Sequence, residues 1–194
     1  MSTLPAPTAS RAAFAPDLAT ALGASESLMV TVDRPWPRGQ AHVAVHVRQE
    51  VAWTRAFPPG FPTIPNKTAF VLDGAPAYPE LLIVQLLERA GWSAAWRKNF
   101  GGLDYWRDIR EPIAPPPVVL SIVEQVSRQA GHLTPWDIVA WRGRQVRFLV
   151  SRTHDGQPVG AYLANWMDAA LRMGVPSACF AVVQQLAKHT PRRH

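Results

Sequence analysis

The sequence is poor in cysteine and in long apolar segments, and each shortage excludes a class of protein. The single cysteine, Cys179, excludes an internal disulfide and a zinc site built from several cysteines. Because it lies in the apolar stretch 178–183, we interpret it as a small buried side chain rather than a reactive thiol. No apolar run approaches the roughly 20 residues that cross a bilayer, so we expect no membrane partner. The first residues do not resemble a secretory signal, and we expect a cytoplasmic bacterial protein.

Acidic residues are outnumbered by basic ones. Lys and Arg together number 20 and Asp and Glu number 14, which gives a formal net charge of +6. Such a balance favours polyanionic partners, because basic groups that neutralise phosphates release counterions. Charge alone does not separate nucleic acid from an anionic membrane or an acidic protein, and part of the excess lies in the tail 188–194.

The chain of 194 residues is long enough for one packed domain with an appendage. Residues 1–27 are rich in Ala, Pro, Ser and Thr, which predicts an irregular arm or a short helix near 15–22. Residues 28–66 are predicted to form a β-hairpin, from alternating stretches at 27–32 and 41–54, followed by a Pro-rich linker at 57–65. We predict that residues 67–194 form the main α/β domain.

Two histidines alternate with valines in the second of these strands. The valines 43, 45 and 47 point one way, and His42 and His46 point the other. A metal pair is geometrically possible, but no third ligand is near in the sequence. We therefore interpret both histidines as solvent-facing.

After residue 77 the sequence pattern changes and predicts alternating helices and strands. Apolar periodicity predicts helices at 80–90, 118–129 and 159–173, two of them closed by Gly91 and Gly131. Strands are predicted at 92–100, 137–141, 144–152 and 178–184, with a tight hairpin at Arg142-Gly143. A final strand that follows a hairpin and a helix indicates a mixed sheet with helices on its faces.

This order and several residues at its joints resemble the PD-(D/E)XK superfamily, which has the restriction-endonuclease-like fold. The likeness covers roughly residues 77–185 and is closest to small bacterial and phage members of the VRR-NUC type. The segments that carry it are Pro79-Glu80-Leu81-Leu82, Ala90-Gly91-Trp92, Pro135-Trp136-Asp137, Arg147-Phe148-Leu149-Val150-Ser151-Arg152 and Asn165-Trp166-Met167-Asp168.

The resemblance implies a Mg²⁺-dependent phosphodiesterase site. In such sites carboxylates hold the cation through oxygen ligands, and a nearby basic side chain stabilises negative charge on the phosphate. Glu80 matches the family's helix glutamate and Asp137 its hairpin aspartate. The family's Glu-x-Lys strand motif is replaced by Val150-Ser151-Arg152, which leaves Arg152 as the candidate basic residue.

Loss of the strand glutamate leaves two alternatives for the metal. A relocated carboxylate, from Asp168 on the next helix or from Asp155, can complete a site with Glu80 and Asp137. Otherwise the site is degenerate. Each retained residue also has a structural interpretation: Glu80 complements the positive end of its helix, Asp137 occupies a turn, and Arg152 is a solvated charge.

Basic residues near the tryptophans form a possible phosphate track. The candidates for nucleic-acid binding are Arg97, Lys98, Arg107, Arg142 and Arg144. The same residues also fit a charged sheet edge. We assign most tryptophans to core packing, with Trp106 as the exception that is available for base stacking.

Three functions follow from these observations. The first is a nucleic-acid-associated protein, with DNA as the expected partner, on a nuclease-like fold with weak or no hydrolytic activity. Such a protein could be a subunit of a larger nuclease or defence assembly. The second is an active Mg²⁺-dependent endonuclease with a relocated carboxylate. The third is a protein-interaction module that docks through its N-terminal region.

Overall fold

A computed structural model describes residues 15–34, 39–51, 53–54, 57–64, 67, 69–100, 103–153 and 159–187. The helices are α1 (Ala15–Leu22), α2 (Pro79–Arg89), α3 (Pro117–Ala130) and α4 (Ala161–Arg172), and one 3₁₀ turn covers Ser177–Cys179. The strands are β1 (Glu26–Arg34), β2 (Gly39–Val51), β3 (Trp53–Thr54), β4 (Ala69–Leu72), β5 (Ala75–Ala77), β6 (Ser93–Phe100), β7 (Leu103–Asp108), β8 (Glu111–Pro112), β9 (Ile138–Arg142), β10 (Gln145–Arg152) and β11 (Phe180–Ala187). None of the described helices is long and apolar enough to cross a membrane.

Eight strands form one mixed sheet in the order β1-β2-β11-β10-β9-β6-β7-β8, and β3, β4 and β5 form a small separate sheet. The pairs β2–β11 and β10–β11 are parallel, and the other pairs of the large sheet are antiparallel. The predicted α/β class with a mixed sheet and helices on its faces is therefore confirmed. The large sheet also joins β2 to the C-terminal strand, so it crosses the predicted boundary at residue 66.

The predicted N-terminal hairpin is present, with β1 antiparallel to β2 in a register that places Val30 opposite Val43. The valines 43, 45 and 47 face the core, as their alternation predicts. The prediction that both histidines face solvent is wrong for His46, which is buried and bonds Ser27 Oγ through Nδ1 at 2.8 Å. The hydroxyl satisfies the imidazole, and burial lowers the pKa of His46.

The two faces of the large sheet bury separate cores. Helices α1 and α2 cover one face with Leu18, Leu81 and Leu87. Helices α3 and α4 cover the other face with Val123 and Trp166. Alternation along β10 divides its residues between them, with Leu149 in the α2 core and Phe148 and Val150 in the α4 core. The face covered by α2 carries the site described below.

The Pro-rich segment 57–64 packs against the α2 face. Tyr78, immediately before α2, donates its hydroxyl hydrogen to Pro62 O at 2.9 Å and accepts from Ile64 N at 2.6 Å. The ring of Phe61 lies 5.6 Å from that of Tyr78. These contacts hold residues 61–64 beside α2, and the backbone N–H of Lys67 donates to Ile64 O at 3.1 Å.

Four short strands were not predicted: β4, β5, β7 and β8. The small antiparallel pair of β4 and β5 turns through Asp73 and Gly74, both with positive φ. Strand β7 pairs with β6 and carries Tyr105 and Trp106 among charged residues, so its apolar alternation is too short to stand out in the sequence.

Candidate functional site

Glu80 lies in the first turn of α2, and its side chain turns into the protein. The residue is 8% exposed, and Oε1 forms an ion pair with Lys67 Nζ. Its other oxygen, Oε2, is buried without a hydrogen-bond partner among the described residues. A glutamate that only complemented its helix dipole would lie in solvent, so the dipole interpretation does not account for this burial.

Lys67 reaches Glu80 from the end of the packed Pro-rich segment. Its ammonium lies 4.6 Å from the ring centroid of Trp96 and 5.9 Å from that of Tyr78. The faces of both rings carry partial negative charge that attracts the cation. Lys67 is thus held by one carboxylate and two aromatic rings on the α2 side of the sheet.

Asp137 immediately precedes β9, and its backbone carbonyl accepts from Arg97 N at 2.7 Å. Its carboxylate accepts a hydrogen bond from the backbone N–H of Ser151 on β10, with Oδ2 3.1 Å from the nitrogen. The residue is half-buried. The antiparallel pairing of β9 and β10 therefore holds this carboxylate beside the end of β10.

The charge of Asp137 is poorly stabilised. Burial raises its pKa to about 6 from an ordinary value of 3.8, and the neighbouring Glu80 carboxylate adds to the rise. The Ser151 hydrogen bond and the positive charges of Arg152 and Lys67 lower the pKa and offset part of that rise. A sheltered acid whose pKa is raised by burial and by a neighbouring carboxylate is typical of a functional site.

Gln185, on β11, is fully buried and links the segments that carry or contact these two acids. Its amide nitrogen donates to Pro79 O, at the start of α2, and to Ser151 Oγ, each at 3.0 Å. Both amide hydrogens are used in this way. Gln185 Oε1 is left buried and without a hydrogen-bond partner in the described structure.

The three motif residues on β10, Val150, Ser151 and Arg152, lie in different surroundings. Val150 is 1% exposed and packs in the α4 core, and no part of it can ligate a metal. Ser151 bonds Asp137 and Gln185, as described above. Arg152 donates to Ser151 O at 3.0 Å, and its charge acts on Asp137. The structure thus places Glu80 and Arg152 close enough to Asp137 for their charges to act on its carboxyl group.

Asp168, the candidate relocated carboxylate, is engaged elsewhere. It is 1% exposed, and its Oδ1 accepts from Arg34 Nε of β1 at 2.8 Å. Its Oδ2 lies 3.2 Å from Arg172 Nε, one turn later on α4. The other candidate, Asp155, lies outside the described residues. Within the described ranges, no three acidic, histidine or cysteine side chains form a group suited to a metal ion.

The predicted basic track is divided between the two ends of β9. Arg97 and Lys98 follow the β6 residue that pairs with Ile138, so they lie at the Asp137 end. Arg142 and Arg144 lie at the other end, about 16 Å from Asp137 at 3.3 Å per residue. Lys98 and Arg144 are both exposed.

Three basic candidates and Trp106 make specific contacts within the protein. Arg107 pairs with Glu88 at 2.7 Å and with Glu111 at 3.1 Å. Arg142 stacks its guanidinium 4.5 Å from the ring centroid of Trp92. Arg97 donates to Thr134 O at 2.9 Å. Trp106, the candidate for base stacking, is half-buried and donates its ring N–H to Lys98 O at 2.8 Å.

Sequence reasoning missed Lys67, Ser151 as a contact residue, and Gln185. Lys67 follows a segment that reads as a linker, and no local pattern marks it. Gln185 could have been noticed as a polar residue inside an apolar strand, since a buried amide must find partners.

Comparison with protein families, with curated proteins and with solved structures gave no match for this chain.

Proposed function

We propose that this chain is a nucleic-acid-associated protein of the nuclease-like class and that Glu80 and Asp137 form a divalent-cation site for phosphodiester hydrolysis. The observation that carries the proposal is the convergence of these two acids, which come from different elements and share one sheltered site. The likeness to the PD-(D/E)XK superfamily supports it independently, because the same two residues match that family's acids.

The residues present fit a hard cation. Mg²⁺ is commonly bound through one or two carboxylates with water completing its shell. Glu80 Oε2 is an anionic oxygen without a hydrogen-bond partner in the described structure, so it is available as a ligand. Asp137, with a pKa of about 6, is mostly ionised at neutral pH and can act as the second. A bound cation would polarise the scissile phosphate and lower the pKa of a water molecule.

Lys67 and Arg152 provide positive charge on two sides of the acids. A cation held by Glu80 Oε2 would weaken the ion pair of Lys67 with Oε1, because both cations draw on the charge of one carboxylate. The Lys67 ammonium could then stabilise negative charge that develops on a phosphate bound beside the cation. Arg152 supplies positive charge, but a guanidinium cannot donate a proton as a lysine ammonium can. We therefore expect slow hydrolysis.

The test is cleavage of nucleic acid by the purified full chain. Supercoiled plasmid, single-stranded DNA and RNA are incubated with Mg²⁺ or Mn²⁺. We expect slow cleavage that Glu80→Gln and Asp137→Asn both abolish. The matched control is Glu88→Gln, on the same helix but paired with Arg107, and it should cleave as the unaltered chain does. Cleavage that survives Glu80→Gln would contradict the assignment.

A second function is supported by the Lys67–Glu80 ion pair. If Lys67 holds Glu80 permanently, the site cannot accept a metal, and the chain binds nucleic acid without cutting it. Salt-dependent binding with no cleavage in either metal, and no change on Glu80→Gln, would favour this function.

A further inference from the structure

We infer that the Gln185 side chain is a neutral third ligand of the cation site and replaces the carboxylate that the strand motif lacks. This inference rests on the function proposed above, because it concerns the same site. It extends that proposal to a residue on β11, the strand next to β10.

The orientation of the Gln185 amide is fixed by its donors. Pro79 O is a carbonyl oxygen and can only accept, so the nitrogen of the amide must face it. A flipped amide would place two acceptor oxygens together. Because Ser151 Oγ takes the second amide hydrogen, Oε1 must point away from both partners.

The remaining oxygen is costly to bury. A buried carbonyl oxygen without a hydrogen bond costs roughly 1–3 kcal/mol. Gln185 Oε1 is buried without a hydrogen bond, and so is Glu80 Oε2. Glu80 is the residue after Pro79, whose carbonyl oxygen accepts from the Gln185 amide. Buried polar atoms are ordinarily satisfied, and these two oxygens belong to side chains that the Gln185–Pro79 hydrogen bond brings into neighbouring positions, so we assign them one common partner. Since both are acceptors, a cation satisfies them together.

The chemistry of the two oxygens fits a hard divalent ion. Amide carbonyls of Asn and Gln are ordinary ligands of such ions, as carboxylates are. The ligand set of Glu80, Asp137 and Gln185 carries two negative charges. A set in which a third carboxylate replaced the Gln185 amide would carry three. A site with that charge leaves a bound divalent cation formally neutralised.

The experiment is calorimetric titration of Mn²⁺ into the full chain and three variants. Gln185→Met keeps the length of the side chain and removes its oxygen. Gln184→Met makes the same change at the neighbouring position on β11, and Glu80→Gln removes a carboxylate ligand. We expect Gln185→Met to raise the Kd roughly tenfold or more. Gln184→Met should leave the Kd unchanged.

Each outcome decides a separate question. If Glu80→Gln weakens Mn²⁺ binding and Gln185→Met does not, Gln185 is only a structural link between α2 and β10, and the ligand assignment is overturned. If neither change affects binding, or Mn²⁺ does not bind, the proposed site fails as a whole. Because Gln185→Met also removes two hydrogen bonds, its folding is checked by circular dichroism before titration.

An independent measurement avoids the variant altogether. Crystals of the unaltered chain soaked in Mn²⁺ give an anomalous peak that locates the ion. A peak within ligand distance of Gln185 Oε1 supports the assignment. A peak that contacts the carboxylates but not the amide overturns it.

Discussion

Asp137 and Asp168 are both sheltered from water, but the protein stabilises their charges to different degrees. Asp168 is held between two guanidinium groups, from Arg34 at 2.8 Å and Arg172 at 3.2 Å. Asp137 receives one backbone hydrogen bond and lies beside another acid, and its pKa is raised to about 6.

The difference indicates separate roles for the two carboxylates. A buried charge that lies against two opposite charges holds elements together, here β1 and α4. A sheltered charge that is left underpaired reduces stability and is retained where it has a use. From the sequence, Asp137 was a metal-ligand candidate by resemblance and Asp168 a candidate relocated carboxylate; the structure places the two in different surroundings.

The largest expected effect is at the paired acid. Asp168→Asn should reduce the free energy of unfolding by about 3 kcal/mol, because it leaves Arg34 and Arg172 without a counter-charge. Urea unfolding followed by circular dichroism measures the change. The control is Asp73→Asn, which breaks an exposed ion pair with Arg89 and should have little effect. Equal losses in the two variants would contradict a structural role for Asp168.

Asp137→Asn should instead raise the free energy of unfolding. The pKa of Asp137 is higher in the folded chain than the ordinary 3.8, so the folded chain binds the proton more tightly. Its contribution to stability is therefore present at low pH and is lost as pH rises from 3.8 to about 6. Removing the charge should stabilise the protein by about 1–2 kcal/mol at neutral pH.

The same comparison is repeated at low pH. Below the ordinary pKa the carboxyl is protonated in both states, so the gain from Asp137→Asn should disappear. Urea unfolding at both pH values gives the two differences. A loss of stability at neutral pH would show that the Asp137 charge is well paired.

A smaller effect is expected at Lys67. Lys67→Met removes the competitor for Glu80 and should tighten Mn²⁺ binding about tenfold, which corresponds to about 1.4 kcal/mol. The same variant should cleave nucleic acid more slowly, since a positive charge is lost. Lys98→Met, a change at an exposed lysine, is the control for metal affinity. Unchanged or weaker Mn²⁺ binding in Lys67→Met would contradict competition at Glu80.

The smallest effect concerns the two ends of β9. Lys98→Ala, at the Asp137 end, should weaken DNA binding about threefold and lower the salt slope by about one. Arg144→Ala removes an exposed charge at the far end and should leave binding unchanged. Fluorescence anisotropy at several salt concentrations measures both. Equal effects would show that the whole basic set contacts DNA, as the sequence suggested.

Much of the fold could be predicted from periodicity. The alternation of Val43 and Val45 predicted which face of β2 lies in the core. Gly131 has a positive φ of 76° and ends α3 where the sequence predicted. The resemblance gave Glu80 and Asp137 as site candidates because each lies at a marked joint between elements.

The rest of the site depends on contacts between distant parts of the chain. Gln185 meets Pro79 across 106 residues, through the insertion of β11 beside β10. Lys67 reaches Glu80 only because Tyr78 binds the Pro-rich segment. Neither contact has a local sequence pattern. The burial of His46 was not predicted for the same reason. This residue is shielded from solvent by Ser27 and by α1, which packs on the same face of β2.

The most direct test of the central claim is Mn²⁺ binding followed by electron paramagnetic resonance as the pH is lowered. We predict that the full chain and Asp168→Asn bind one Mn²⁺ each and bind it progressively more weakly as the pH is lowered below about 6, because a proton competes with the cation for Asp137. Glu80→Gln and Asp137→Asn should bind weakly at every pH. Equal binding in all four proteins, or no binding in any, would contradict a cation site at Glu80 and Asp137.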